Sequence, residues 1–140
     1  MSLAEENRRD VVAYRIERAY TALKQAKLNL EMNCLEVTAN RLYYAAYYVV
    51  SALLIAYKIP AHSHEGNVTQ FGLNFVKTGK VDREDGKLLS HLLSMRLKGD
   101  YSDRFGLTET DVLPYIEPTE AFIHRISAMA LSQVEGLSAS

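Results

Sequence analysis

From Ala4 to Met32 apolar residues recur at three- and four-residue spacing, through Val11, Val12, Ile16, Ala19, Leu23, Ala26 and Leu30, with no Gly or Pro between them. This pattern predicts one long amphipathic helix, with Asn33 as its break. A second helix is predicted from Leu35 to Lys58, stopped by Pro60. Between Leu42 and Tyr57 that helix carries no charge on any face, so it must be covered on most of its circumference by a bundle or by a second subunit. Tyr43, Tyr44, Tyr47 and Tyr48 lie in this stretch. Tyrosine is favoured where one end of the side chain stays polar, so a homodimer seam is expected here.

Residues 59–66 read as a loop, followed by a short third helix from Val68, Phe71, Phe75 and Val76 that ends near Gly79. Asp82 is placed to cap a fourth helix, whose Leu88, Leu89, Leu92, Leu93 and Met95 run to Leu97 before Gly99 ends it. After a polar loop to Gly106, Thr108 and Asp111 have the spacing of a capping box. Phe122, Ile123, Ile126, Ala128 and Leu131 mark a last helix, whose first part Pro114 and Pro118 should kink or split. No segment alternates with period two for long enough to argue a strand. The expected fold is all-α, an antiparallel bundle of four to five helices.

Length and composition narrow this further. At 140 residues, 48% hydrophobic and 24% charged, the chain suits a single domain over 1–140 with one core, and neither a disordered nor a repetitive chain. Its single cysteine, Cys34, excludes an internal disulfide and a cysteine-based zinc site. The net charge of −1 argues against nucleic-acid binding by bulk positive charge, but its distribution is uneven: residues 1–98 carry 14 basic and 10 acidic side chains, residues 99–140 only 2 and 7. A local basic face therefore remains open. No secretory signal is expected, and the longest uncharged run, 16 residues, is short of the roughly 20 that span a bilayer. A cytoplasmic protein is expected.

Three groups of residues could carry chemistry. Arg41, Tyr44, Ala45 and Tyr48 fall on one stripe of the second helix, where an arginine could grip a phosphate while tyrosines stack on bases. The same arginine could equally hydrogen-bond helix-end carbonyls or a carboxylate within the bundle. Arg96, Lys98 and Asp100 lie at the end of the fourth helix, where cations also complement the helix dipole. His62 and His64 sit on the predicted loop without a recognisable third ligand, so no metal and no cofactor are expected.

The segments NRLYYAAYYVVSALLIAYKI, HSHEG, FGLNFVKTGKVD and RLKGDYSD, in this order and spacing, resemble the small stand-alone prokaryotic branch of the HEPN domain family over about residues 7–133. Arg41, Tyr43, Tyr44 and Ala45 match the first element, His64 the loop, and Arg96, Lys98, Asp100 and Tyr101 the last. The resemblance implies a dimerising helical bundle, often paired with a minimal nucleotidyltransferase in toxin–antitoxin or stress-response systems. Some members are metal-independent ribonucleases, in which an arginine is followed four to six residues later by a histidine in the dimer cleft. Here the fifth residue after Arg96 is Tyr101, a poor base at neutral pH, and His91 precedes Arg96 by five residues, about 140° around the helix.

The leading expectation is therefore a homodimeric module that binds a nucleotide or RNA through Arg41, Tyr44, His64, Arg96, Lys98 and Asp100, with a nucleotidyltransferase partner. The alternatives are a ribonuclease toxin using Arg96 and Tyr101, with His64 in place of the missing base, and a helical dimer whose arginines and tyrosines only organise its core.

Overall fold

The computed structural model describes residues 2–101 and 106–138, with the backbone alone at 101 and 136–138. Among the described residues six α-helices follow one another: α1 (Leu3–Glu31), α2 (Leu35–Ala56), α3 (His64–Phe71), α4 (Arg83–Tyr101), the single turn α5 (Glu109–Val112) and α6 (Ile116–Ser138). A π-helical turn, Gly72–Val76, extends α3, and a 3₁₀ turn, Leu113–Tyr115, joins α5 to α6. No strand occurs among the described residues. The all-α bundle read from the sequence is the fold.

α1 begins at a capping box, in which Ser2 Oγ accepts from the Glu5 N–H and the Glu5 carboxylate accepts from the Ser2 N–H, both at 3.2 Å. Its buried stripe of Val12, Ile16, Ala19, Leu23 and Ala26 packs toward α2, whose own buried residues include the small Ala39, Ala45, Ala46 and Ala52. The reversal between the two helices turns at Asn33, whose φ of 57° lies in the left-handed region that asparagine tolerates. Thr38 Oγ1 then donates to the Ala26 carbonyl at 3.2 Å and pins the start of α2 to the end of α1.

α2 is the central helix. α1, α3, α4, α5 and α6 all pack on it, so the bundle itself covers its aliphatic faces. Leu42, Val49, Val50, Leu53 and Leu54 are buried, together with Phe71, Phe75, Leu89, Leu92, Phe122, Ile123 and Ile126 from the later elements. What α2 leaves half-covered is a strip containing Arg41, Tyr44, Tyr47 and Tyr48. An ion pair between Arg125 and Asp85 ties α6 to α4, and one between Lys27 and Glu120 ties α1 to α6.

Several boundaries differ from the pattern reading: α2 ends at Ala56 rather than Lys58, and α3 passes into its π turn after Phe71 and is over by Val76 rather than near Gly79. α3 starts at His64 rather than after Gly66, because the Ser63 hydroxyl accepts from the Gly66 N–H at 2.8 Å and opens the helix earlier than the apolar residues indicate. α4 runs through Gly99 instead of stopping there. Gly99 marks a close approach: a Cβ at that position would lie 3.0 Å from Leu107 Cδ1 and 3.7 Å from the Glu36 backbone. The prolines act as expected. Pro114 sits in the 3₁₀ turn, and Pro118 lies in the first turn of α6, where an amide proton would have no helical partner.

Candidate nucleic-acid interface

Tyr43 and Tyr47 lie one turn apart on α2, as do Tyr44 and Tyr48, and the four rings run together along the helix. His64, the first residue of α3, packs into this group. Its ring stacks on Tyr47 at a centroid distance of 4.5 Å and meets Tyr44 edge-on at 5.5 Å, and its Nδ1 lies 2.7 Å from the Tyr43 hydroxyl.

Tyr43 is fully buried. Burial pushes its pKa well above the ordinary phenol value, Tyr47 adds to the rise and Arg96 opposes it, so the hydroxyl keeps its proton. Burial, and secondarily the charge on Arg96, push the pKa of His64 below its usual value, so near pH 7 the ring is neutral. Among the described residues the Tyr43 hydroxyl has no other hydrogen-bond partner. The proton positions are assigned on that basis: the phenol donates to Nδ1, and Nε2 carries the imidazole proton.

Arg96, on α4, comes to the same place. Its Cζ lies 5.4 Å from the Tyr44 ring centroid and 5.8 Å from that of Tyr43. Asp100, one turn on, brings a carboxylate oxygen 3.1 Å from Arg96 Nε, close enough for an ion pair although Nε is not aligned to donate a hydrogen bond to it. Arg41 approaches Tyr44 as well, with Cζ 5.0 Å from the centroid. Its guanidinium donates to Asn40 Oδ1 at 2.8 and 3.0 Å and to Gln25 Oε1 at 3.2 Å. All of these acceptors are neutral, and among the described residues no carboxylate lies within ion-pair reach of Arg41.

Arg41, Tyr44, His64, Arg96 and Asp100 therefore share one surface, and the fold brings His64 beside Arg96 across 32 residues of sequence. Lys98 does not join them. Two residues from Arg96, about 200° around the helix, it faces α5 instead and borders a cleft of about 260 Å³ with Thr110, Asp111 and Tyr115. Hydrogen bonds from the Thr108 amide and hydroxyl hold the Asp111 carboxyl below its usual pKa, and Lys98 adds a smaller share. The side chain of Tyr101 lies outside the described residues. His62 is exposed on the segment before α3. A groove of about 700 Å³ between α3 and α4, lined by apolar residues such as Val68, Phe71, Leu73 and Val76, contains none of the sequence-predicted site residues.

The sequence reading did not place Arg18 at the site. This exposed residue of α1 donates from Nη2 to the Tyr48 hydroxyl at 2.7 Å and lies 4.6 Å over the Tyr48 ring. The signal was present in the hairpin. Arg18 and Tyr48 lie equally far on either side of Asn33, as do Gln25 and Arg41, so a turn at Asn33 sets both pairs opposite each other.

The model of the HEPN domain matches residues 12–129. A UPF0332 protein of Thermotoga maritima is 37% identical over 119 residues, covering 85% of this chain and 90% of its own length. A Methanocaldococcus jannaschii protein named "Putative toxin MJ0605" is 29% identical over 125 residues, 89% of this chain and 92% of its own length. A second protein of that organism, named "Putative toxin MJ0142", is 22% identical and covers 84% of this chain and 80% of its own length.

Proposed function

The chain belongs to the HEPN domain family, and from that premise we propose that it is a homodimeric binding module that takes a nucleotide or RNA on the surface formed by Arg41, Tyr44, His64 and Arg96. The observation that carries this reading is Arg41: among the described residues its guanidinium is held near Tyr44 by neutral amides alone, and Arg96, which approaches the same ring, is opposed only by Asp100. A cation without a carboxylate has charge to give to a phosphate, and Arg41, held in place by Asn40 and Gln25, keeps two of its five N–H donors for it. His64 adds an N–H donor at Nε2 in the same place. Asp100 keeps Arg96 extended beside the tyrosines and is displaced, or repelled, as a phosphate arrives.

Two relatives that carry "Putative toxin" in their names support a role for this module in a toxin–antitoxin pair, where its partner would be a minimal nucleotidyltransferase. A ribonuclease toxin is the second reading, favoured by the approach of His64 to Arg96. The hydrogen bond from Tyr43 weighs against it. A base needs a free lone pair, and the one on Nδ1 is occupied within the fold while Nε2 already bears a proton.

The experiment is binding and cleavage of a labelled single-stranded RNA with a chelator present. The wild type is expected to bind without cleaving. Arg96→Ala and Arg41→Ala are each expected to weaken binding about tenfold, in keeping with the ~1.5–3 kcal/mol of a hydrogen bond to a charged group reduced by solvent exposure. Cleavage that Arg96→Ala and His64→Ala both abolish would establish the ribonuclease instead.

A further inference from the structure

We propose that the interface continues past Tyr44 along the seam between α1 and α2 to a second phosphate-binding position at Arg18 and Tyr48, so that its ligand is a single-stranded oligoribonucleotide rather than a mononucleotide. The proposal rests on the nucleic-acid reading above and specifies its substrate class.

Arg18 repeats the chemistry of Arg41. Its guanidinium lies over a tyrosine ring, 4.6 Å from the Tyr48 centroid, and is held by the neutral hydroxyls of Tyr48 at 2.7 Å and Tyr14 at 3.5 Å. Among the described residues no carboxylate is within ion-pair reach of it. Of the five N–H donors of an arginine these hydrogen bonds use two, and the residue is exposed, so the rest are open to a ligand. An arginine kept only to tie two helices together gains most from a carboxylate, and this one has a hydroxyl.

The two arginines are spaced by the hairpin. Arg18 faces Tyr48 and Gln25 faces Arg41, so both rungs are seven residues apart on either helix, about 10.5 Å along the axis. A strand with successive phosphates along the seam fits rungs at this spacing better than one phosphate reached through hydrogen bonds of about 2.9 Å. Between the rungs, Tyr44, Tyr47 and Tyr48 form an unbroken run of rings with centroids 5.7–6.0 Å apart. These rings can stack on unpaired bases, the two arginines at either end supply positive charge, and stacking of this kind tolerates any sequence. A run of aromatic rings with a cation free of any carboxylate at each end matches a single strand better than it matches a protein surface, which would need apolar area in place of the arginines.

The test compares an unlabelled mononucleotide, as competitor, with a fluorescent eight-nucleotide single-stranded RNA, on wild type, Arg18→Ala, Arg18→Lys and Arg96→Ala, with the light-scattering mass of each variant measured alongside. Arg18→Ala is expected to weaken the octanucleotide about tenfold and leave the mononucleotide unchanged. The slope of log K against log salt for the octanucleotide should become shallower by about 0.7, the share of a single phosphate neutralised on a single strand. Arg18→Lys should recover part of the affinity, because the charge remains without the fork. Arg96→Ala should weaken both ligands. If Arg18→Ala changes neither ligand while Arg96→Ala weakens both, the interface stops at Tyr44 and the extension is overturned with the binding reading intact. If the wild type binds neither ligand, both are overturned. If Arg18→Ala lowers the light-scattering mass in step with the octanucleotide affinity, the seam is an interface between two copies and the proposal fails.

Discussion

Tyr43 and His64 show how a buried phenol can set the state of a neighbouring imidazole. Burial keeps the proton on the phenol, whose one hydrogen-bond partner among the described residues is His64, so it fixes the tautomer of His64, while burial and Arg96 both disfavour the imidazolium. An NMR titration should therefore find the His64 pKa below 6.5, and it should rise in Arg96→Ala as one of the two causes is removed. The consequence for stability has a definite sign. A histidine whose folded pKa is depressed takes up its proton more readily when unfolded, so its contribution to stability is complete above about pH 6.5 and is lost as the pH falls through the folded pKa. The drop in Tm between about pH 7.5 and about pH 5.5 should be smaller for His64→Gln than for the wild type. An equal drop in the two proteins would mean that His64 is not held neutral by the fold.

At the scale of the element, the short helix α3 is what delivers His64, and its start depends on one hydroxyl. Removing the cap with Ser63→Ala should cost about 1 kcal/mol in a urea denaturation, as N-cap losses generally do, and an unchanged midpoint would mean that packing alone sets the helix start. The same cap explains what the sequence did and did not make legible. Apolar spacing found every long helix, because α1, α2, α4 and α6 each bury a stripe. It missed the first turn of α3, where Ser63, His64, Glu65 and Gly66 offer no stripe and read as loop. Gly99 misled for a related reason: a glycine read as a stop is there to admit Leu107 and Glu36, neighbours distant in sequence. At the site, Arg41, Tyr44, His64 and Arg96 were nameable from their motif, whereas their meeting depends on tertiary packing. Lys98 was grouped with Arg96 by proximity in sequence, although the helical period turns it to another face. Arg18 looked like one more charge on a solvated face until the hairpin register set it against Tyr48.

At the scale of the whole molecule, the apolar character of α2 does not by itself call for a second subunit, since five helices of the same chain pack on it. The case for the proposed homodimer lies in charge. With a net charge of −1 the chain has no bulk attraction for a polyanion, and among the described residues one copy brings Arg18, Arg41 and Arg96 to the tyrosine strip. At about 0.7 per phosphate neutralised on a single strand, three arginines give a slope of about −2 in log K against log salt, and six give about −4. A strand lying across two copies should therefore show the steeper slope, with a light-scattering mass of two chains in the absence of RNA. A mass of one chain at micromolar concentration, together with the shallower slope, would leave each copy working alone. A dimer with the shallower slope would mean that its two strips face apart and bind separate strands. Light scattering and the salt series together thus determine whether the arginines of one copy are extended by those of the other.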